Sequence, residues 1–436
     1  MPDRQHNTTG FNRQGMVLVA VLWTAILLLL IVGSLVQYSR LDMKVSVFSA
    51  QTVACKWASR AGIETVAAIL SEDSHISDAL DDLWSNNDTD LVDVPLGSAA
   101  FTVRVIDEAG KLNINQATQS QLLSLPGMTE EIADAILDWR DRDMDMRENG
   151  AEIGFYRNLD YPYDARNAPF KTMRELLLVK GVTPDMLYGE DTNFNGLLDY
   201  NERDGDASLP LDNNDDTLEQ GWIAYLSCYS KDDDTDAEGQ DRVNVNQASL
   251  EDLQQDLGLS RGHAQWIVDN RGNGFRSIGD LIANNSPEEP VEARGNQAQP
   301  LDVLTYQQIV DSVTIAQGRN RPAKVNVNTA PKEVLVALME ARDDADSTAL
   351  NIVNYRQGLL YGFESIGDLL DVDGMSRSQF KKLVDLITVR SNVFTVYSRA
   401  RAMQTAISGA TVVTEAVLDR TESPCQIAYW YQGASY

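Results

Sequence analysis

The sequence predicts an α+β protein: a long N-terminal helix packed on an antiparallel sheet, with a large, mostly helical domain inserted in the sheet. Three observations carry this expectation. An uncharged apolar run near the start continues as a helical pattern. One strand-like segment stands far upstream of three others. Repeated helix-hairpin patterns fill the interval between them.

The apolar run reads MVLVAVLWTAILLLLIVGSLV, from Met16 to Val36, without one charge. At 1.5 Å per residue it spans about 30 Å, the thickness of a bilayer core. An ordinary secretory signal has a shorter core followed by a small-residue cleavage site. Here the small residue, Gly15, precedes the core. Arg4 and Arg13 lie before the run and Arg40 and Lys44 after it, so charge alone argues orientation weakly. Residues 37–71 keep apolar positions near helical spacing, with Val47, Val53, Trp57, Ala61, Val66 and Ile69 as the expected packing stripe.

Residues 99–106, AAFTVRVI, alternate as a strand, with Phe101, Val103 and Val105 on one face. Strand patterning returns only at 393–400, 410–418 and 425–431. A lone strand is unstable, so the first should pair with the later three. The expected organisation is a polar leader at 1–15, a membrane and assembly helix at 16–36, and helix plus first strand at 37–109. An inserted helical domain at 110–390 and C-terminal strands at 391–436 complete it.

Within the insertion, LNINQAT from Leu112, VNVNQAS from Val243 and VNVNTAP from Val325 share a pattern, each leading into a helical stretch. The second Asn of each suits a turn or helix cap, and Pro331 suits an early helical position. Phe275 to Leu281 matches Phe363 to Leu369, with Phe170 to Leu176 as a looser copy. A helix, a Gly-containing turn and a second helix make a helix-hairpin-helix unit, a design that often clamps a DNA backbone.

The charge argues against that use. There are 65 acidic and 36 basic residues, a formal charge of −29, and nucleic-acid binding needs a basic face. Three histidines and scattered aspartates form no convincing catalytic group, so no enzyme is expected. The cysteines Cys55, Cys228 and Cys425 lack zinc spacing. In an oxidising compartment Cys228 and Cys425 are the candidate disulfide, although sequence separation fixes no distance.

The most specific chemical motif is DTNFNGLLDYNE at 191–202. Asp191, Asn193 and Asn195 occupy positions one, three and five of an EF-hand loop. Gly196 supplies the turn, Leu197 a carbonyl at seven, Asp199 position nine and Glu202 position twelve. This spacing predicts a structural calcium site. Asp204, Asp206, Asp212, Asp215 and Asp216 are candidates to complete it or to build a second. Asp138, Asp141, Asp143 and Asp145, with Glu148 and Glu152, form a less diagnostic acidic run. The run from Asp232 to Asp241 reads as a solvated linker.

The leader ending Arg13-Gln14-Gly15 before an apolar helix resembles a prepilin-type leader, cut between Gly15 and Met16 by a prepilin peptidase. Most such proteins carry Glu at the fifth mature position; here it is Ala20. A carboxylate in lipid needs a partner, so a subunit without one needs no neighbour above it. These features, with DEAGKLNIN at 107–115, LPGMTEEIADAILDWRDRD at 125–143 and VNVNTAP at 325–331, resemble the type II secretion minor pseudopilin K family (general secretion pathway protein K). The resemblance implies a pilin-like fold with a helical insertion and bound calcium. It implies a single-pass inner-membrane protein with a periplasmic body that caps the pseudopilus tip. The implied partners are I- and J-type minor pseudopilins, then the major pseudopilin, secretin and exoproteins. The alternative is a minor pilin of a type IV pilus-like filament. Mass spectrometry of the mature protein should find a chain beginning at Met16; an intact leader would sink the leader assignment.

Overall fold

The computed structural model describes residues 13–436 apart from 75, 192–197, 209, 211, 237–238, 284–285, 288–296, 316–322, 341–343, 404–408, 423 and 435–436. Helix α1 runs unbroken over 60 residues, Arg13–Glu72. Its apolar half, Met16–Val36, is uncovered by the rest of the chain. Among the described residues α1 is the one helix long and apolar enough to cross a membrane.

The C-terminal half of α1 packs on the sheet through part of the expected stripe: Val66 is buried, and Ala61 and Ile69 are partly buried against the sheet core. Cys55, Ala58, Ser59, Gly62, Ile63, Val66 and Leu70 are buried, whereas Val47, Val53 and Trp57 face out. Close approach decides this division. A Cβ on Gly62 would sit 2.5 Å from Ser398 Oγ and 2.7 Å from Val103 Cγ2, so small residues must face the strands. Ser59 donates to the Ser398 carbonyl at 2.9 Å, placing a polar bond in the same seam.

Five antiparallel strands form the sheet: β1 (Val94–Leu96), β2 (Ala99–Asp107), β3 (Val393–Ala402), β4 (Thr411–Asp419) and β5 (Gln426–Ala434), in that spatial order. The four expected strands are present and β1 is added. β2 pairs with β3 from Ala99↔Ala402 to Asp107↔Phe394, so the insertion stands where a hairpin turn would join them. Phe101, Val103, Phe394, Val396, Val412 and Ala416 pack with α1 in one core. The insertion has a separate, larger core.

That insertion is three copies of one wiring scheme. Each copy opens and closes with a two-residue parallel pair: Leu112–Asn113 with Leu226–Ser227, Val243–Asn244 with Val313–Thr314, and Val325–Asn326 with Ile387–Thr388. The first Asn of each motif accepts the amide of the second at 2.9–3.0 Å. The second Asn then clamps a distant Phe through both its amide and carbonyl: Asn115 with Phe170, Asn246 with Phe275, Asn328 with Phe363. Arg140, Arg271 and Arg356 each donate to two carbonyls of their own motif. An aromatic ring stacks on each clamped Phe, from Trp139, Trp266 and Tyr355.

The second Asn of each motif lies in the expected turn but caps no helix, because its side chain is committed to the Phe. Thr118 and Ser249 cap the following helices through capping boxes, and Pro331 stands at the N-cap rather than inside the helix. The Asp-rich run also differs from a solvated linker. Asp232 and Asp234 are mostly buried, meeting Arg242 at 3.4 and 3.3 Å, and Asp232 lies 3.6 Å from Lys324. Opposite charge folds this segment back.

The mouth of the insertion is a buried polar junction. Asn326 Nδ2 donates to the Asp78 carbonyl, Asp107 Oδ2 and Ser391 Oγ at 2.9–3.0 Å. Asp107 Oδ2 also accepts from Ser391 Oγ at 2.6 Å. Arg420 grips both oxygens of Asp78 at 2.6 and 2.7 Å, and Asp73 at 2.9 Å. Asn326→Ala strands several buried groups at once and should lower the unfolding free energy by about 2–5 kcal/mol. Asn246→Ala, at a half-buried clamp, should cost about 1–2 kcal/mol. Urea unfolding of the two variants checks the order.

Candidate functional site

Two acidic groups converge among the described residues, and a third set lies at the ends of the EF-hand-like motif. In the first, Asp73, Asp78 and Asp82 bring carboxylate oxygens within 4.8 Å of one another. The Arg420 guanidinium already supplies charge to Asp73 and Asp78 there, and Asp82 Oδ2 accepts from the Ala79 amide and the Trp84 indole.

The second lies just after the helix Glu130–Arg140, where the first repeat turns. Asp141, Asp143 and Glu152 each offer an oxygen within 4.8 Å of the others. Thr129 caps that helix, fixing the position from which Asp138 and Asp141 project. Arg147 meets Asp138 at 2.6 Å and Asp141 Oδ2 at 2.7 Å, holding the far side of the cluster. The near side has surplus acceptors. Asp141 Oδ1, Glu152 Oε1 and Asn167 Oδ1 are buried and have no hydrogen-bond partner. Asn167 sits in the left-handed region at φ 44° and donates to the Asp143 carbonyl at 2.7 Å and to Glu152 Oε2 at 3.3 Å. Burial pushes the Glu152 carboxyl up, against the pull of the Asn167 amide. Unsatisfied buried oxygens on clustered carboxylates are the condition that a hard, oxygen-seeking cation relieves. These residues fit a metal ion.

The third contains the ends of the EF-hand-like motif. Asn193, Asn195 and Leu197 lie outside the described residues. Asp191 is buried and pairs with Arg104 at 2.9 Å. Asp199 N-caps a short 3-10 turn, and its amide donates to Glu202 Oε2 at 2.9 Å. Glu202 is only 1 % exposed and its Oε1 has no partner. Burial pushes its carboxyl up, with the Asp191, Asp199 and Glu190 charges adding. Both ends of the motif thus share one electrostatic neighbourhood.

The downstream candidates mostly make local turns. Asp212 Oδ2 accepts the amides of Asp204 and Gly205, Asp204 bonds Ser208, and Asp215 accepts the Thr217 amide. Asp216 is exposed, with φ 60°, and the Asp206 side chain lies outside the described residues. The candidate disulfide is not formed: Cys55, Cys228 and Cys425 are all free. Cys228 packs against the insertion core, while Cys425 lies beside the sheet core with Ser71 Oγ 3.7 Å from its sulfur. The helix passes through the predicted cut at Gly15 and Met16, and Ala20 lies on its uncovered surface.

Asn167 is the residue that sequence reasoning missed. It follows Asp143 by 24 residues, and its Asn-Ala-Pro turn marks a loop without naming what the loop faces. Arg420 was missed for the same reason, being 342 residues from Asp78.

Two family models for type II secretion system protein K match the chain, over residues 100–188 and 325–390. These segments cover nearly all of β2 with the start of the first repeat, and the third repeat whole. Among solved structures, the GspK-GspI-GspJ complex of the type 2 secretion system from enterotoxigenic Escherichia coli contains a similar chain. It is 14 % identical with a TM-score of 0.46, covering 91 % of this chain and all of that one. Curated relatives include the endonuclease/exonuclease/phosphatase family domain-containing protein 1 of Mus musculus, 31 % identical over 185 residues, and those of Rattus norvegicus and Homo sapiens at 30 % and 29 %. Each alignment covers 38 % of this chain, and the chain spans 30 % of the length of these relatives. The repeated motif carrying the three-copy wiring falls within both matched segments, and it is over these segments that the chain is similar to type II secretion system protein K.

Proposed function

We propose that this chain is a minor pseudopilin that caps the pseudopilus tip. It starts assembly with I- and J-type minor pseudopilins and supports export of folded exoproteins across the outer membrane. The observation that carries this reading is helix α1, whose apolar length Met16–Val36 has no cover in its own chain and presents Ala20 five residues after the predicted cut. An uncovered apolar helix must enter lipid or pack with other helices. Without a carboxylate at Ala20, it needs no partner amine above it. The insertion at the β2–β3 connection widens the body on one side, which suits an end piece better than a repeating one. The anchor is read as single-pass in the inner membrane, with the body in the periplasm and prepilin peptidase cutting at Gly15–Met16.

Calcium is the proposed ion. Asp141, Asp143, Glu152 and Asn167 would hold one, and Asp191, Asp199 and Glu202 would contribute to another with Asn193, Asn195 and Leu197. A bound ion would neutralise clustered carboxylates and give the unpartnered oxygens of Glu152 and Glu202 a ligand. Binding of the extracellular kind is about 10⁻⁴–10⁻³ M.

Co-expression tests the main reading. The calcium-loaded full chain should co-purify with the I- and J-type minor pseudopilins in detergent, and failure of a folded chain to do so would overturn it. The ion assignment has its own check. Because burial raises the Glu152 carboxyl, its charged form opposes folding without an ion. That penalty is absent while the group is protonated and grows as pH rises through its folded pKa. Glu152→Gln should therefore raise the thermal midpoint in chelator and diminish the upward shift that millimolar calcium gives the wild type. An undiminished calcium shift in the variant would remove Glu152 from the site.

A further inference from the structure

The two edges of the sheet are built differently. β1 is three residues long, contains Pro95 and follows Asp93. Shortness, proline and charge are the devices that keep an edge from pairing with another chain. β5 has none of them. It is nine residues long, and from Cys425 to Tyr436 there is no charge and no proline. The whole chain is 23 % charged, so an uncharged stretch of this length on a strand edge is out of character. The one register irregularity falls between Val417 and Leu418, leaving Tyr429–Ala434 regularly paired with Val412–Val417. Among the described residues no backbone bond other than the pairing with β4 reaches β5.

The side chains beside this edge are those of an interface. Trp430 lies on the α1 face under Arg60, 5.9 Å from the ring centroid, and Gln432 Nε2 donates to the Lys56 carbonyl at 3.4 Å. Tyr431 lies on the opposite face with Arg174 4.5 Å over its ring. Ile427, Trp430 and Tyr431 are all exposed. Val53 and Trp57 of α1, three residues from Lys56 and Arg60, are uncovered too. Uncovered apolar residues of α1 therefore neighbour the residues that meet β5, Lys56 and Arg60. Aromatic residues of this kind anchor protein interfaces.

We infer that the free edge of β5 receives an extended strand from a different chain of the assembly, which lengthens the sheet by backbone pairing while its side chains cover Trp430 and Trp57. This rests on the pseudopilin reading and names the surface through which that assembly is made. Charge selects the occupant. Two copies of a chain carrying −29 repel each other, whereas a neutral edge imposes no such penalty on another subunit. A strand added here gains affinity from main-chain bonds and specificity from alternate side chains.

Hydrogen exchange on the detergent-solubilised full chain, alone and with co-purified I- and J-type minor pseudopilins, tests this. Protection should rise in the complex at alternate amides within Tyr429–Ala434, those not bonded to β4. The double variant Ile427→Lys, Ala428→Lys should keep the thermal midpoint of the wild type and bind the partners about tenfold more weakly. Unchanged exchange along β5 in a complex that does form overturns the inference and leaves the pseudopilin reading standing. So does a self-dimer of the chain alone with β5 protected, which makes a second copy the occupant. Absence of any complex with the wild type overturns both.

Discussion

Asn326 holds the molecule together at the point where it is most divided. The chain leaves the sheet after Asp107 and re-enters it at Val393, with the whole insertion between. Nothing in the sheet pairing itself fixes the insertion in place. Asn326 does so by bonding at once to the segment after α1 (Asp78), the end of β2 (Asp107) and the re-entry segment (Ser391). The amide of Asn326 adds a bond to the Ala109 carbonyl, and that of Asp78 one to Val389. Each of these groups is buried, so leaving any of them unpaired costs the full desolvation of that group. The junction is therefore cooperative: it forms as a set, and it couples the orientation of the insertion to the exit angle of α1.

The three repeats show how a helical insertion of this length is kept from behaving as loops. Short helices and 3-10 turns bury little area each and are marginal alone. Each repeat compensates with non-local bonds of fixed kind: an Asn that clamps a Phe, an Arg that closes two carbonyls, a stacked ring. Asn328 belongs to the same motif as Asn326, so the third repeat uses one half of the motif internally and the other half to dock on the sheet. The Asn113 amide of the first repeat instead reaches Ser230, within the insertion. The same sequence element thus serves as brick in one place and as mortar in another.

Acidity is managed by location. Where an arginine is near, the carboxylates are paired, as at Arg420, Arg147 and Arg242. Elsewhere one oxygen of the carboxylate is left over, at Asp141 Oδ1, Glu152 Oε1 and Glu202 Oε1, buried and unpartnered. Those leftover oxygens, rather than the number of aspartates, mark where a cation could be held. The neutral β5 edge is their counterpart, a surface from which charge has been withheld.

The sequence by itself determined the long helix, four of the five strands, their separation by an insertion and the threefold motif. All of these rest on local periodicity or on literal repetition, which survive without tertiary context. The EF-hand-like spacing is local in the same way, but Asn193, Asn195 and Leu197 lie outside the described residues. Tertiary structure alone decided the rest. It kept Val66 of the expected stripe but left Trp57 out, because the approach of Val103 and Ser398 at Gly62 admits only small residues beside the strands. It kept Cys228 and Cys425 unbonded, turned an acidic linker into a buried partner of Arg242, and brought Asn167 to Asp143 and Glu152. Each of these depends on which residues distant in the chain come to face one another, and no local pattern encodes that.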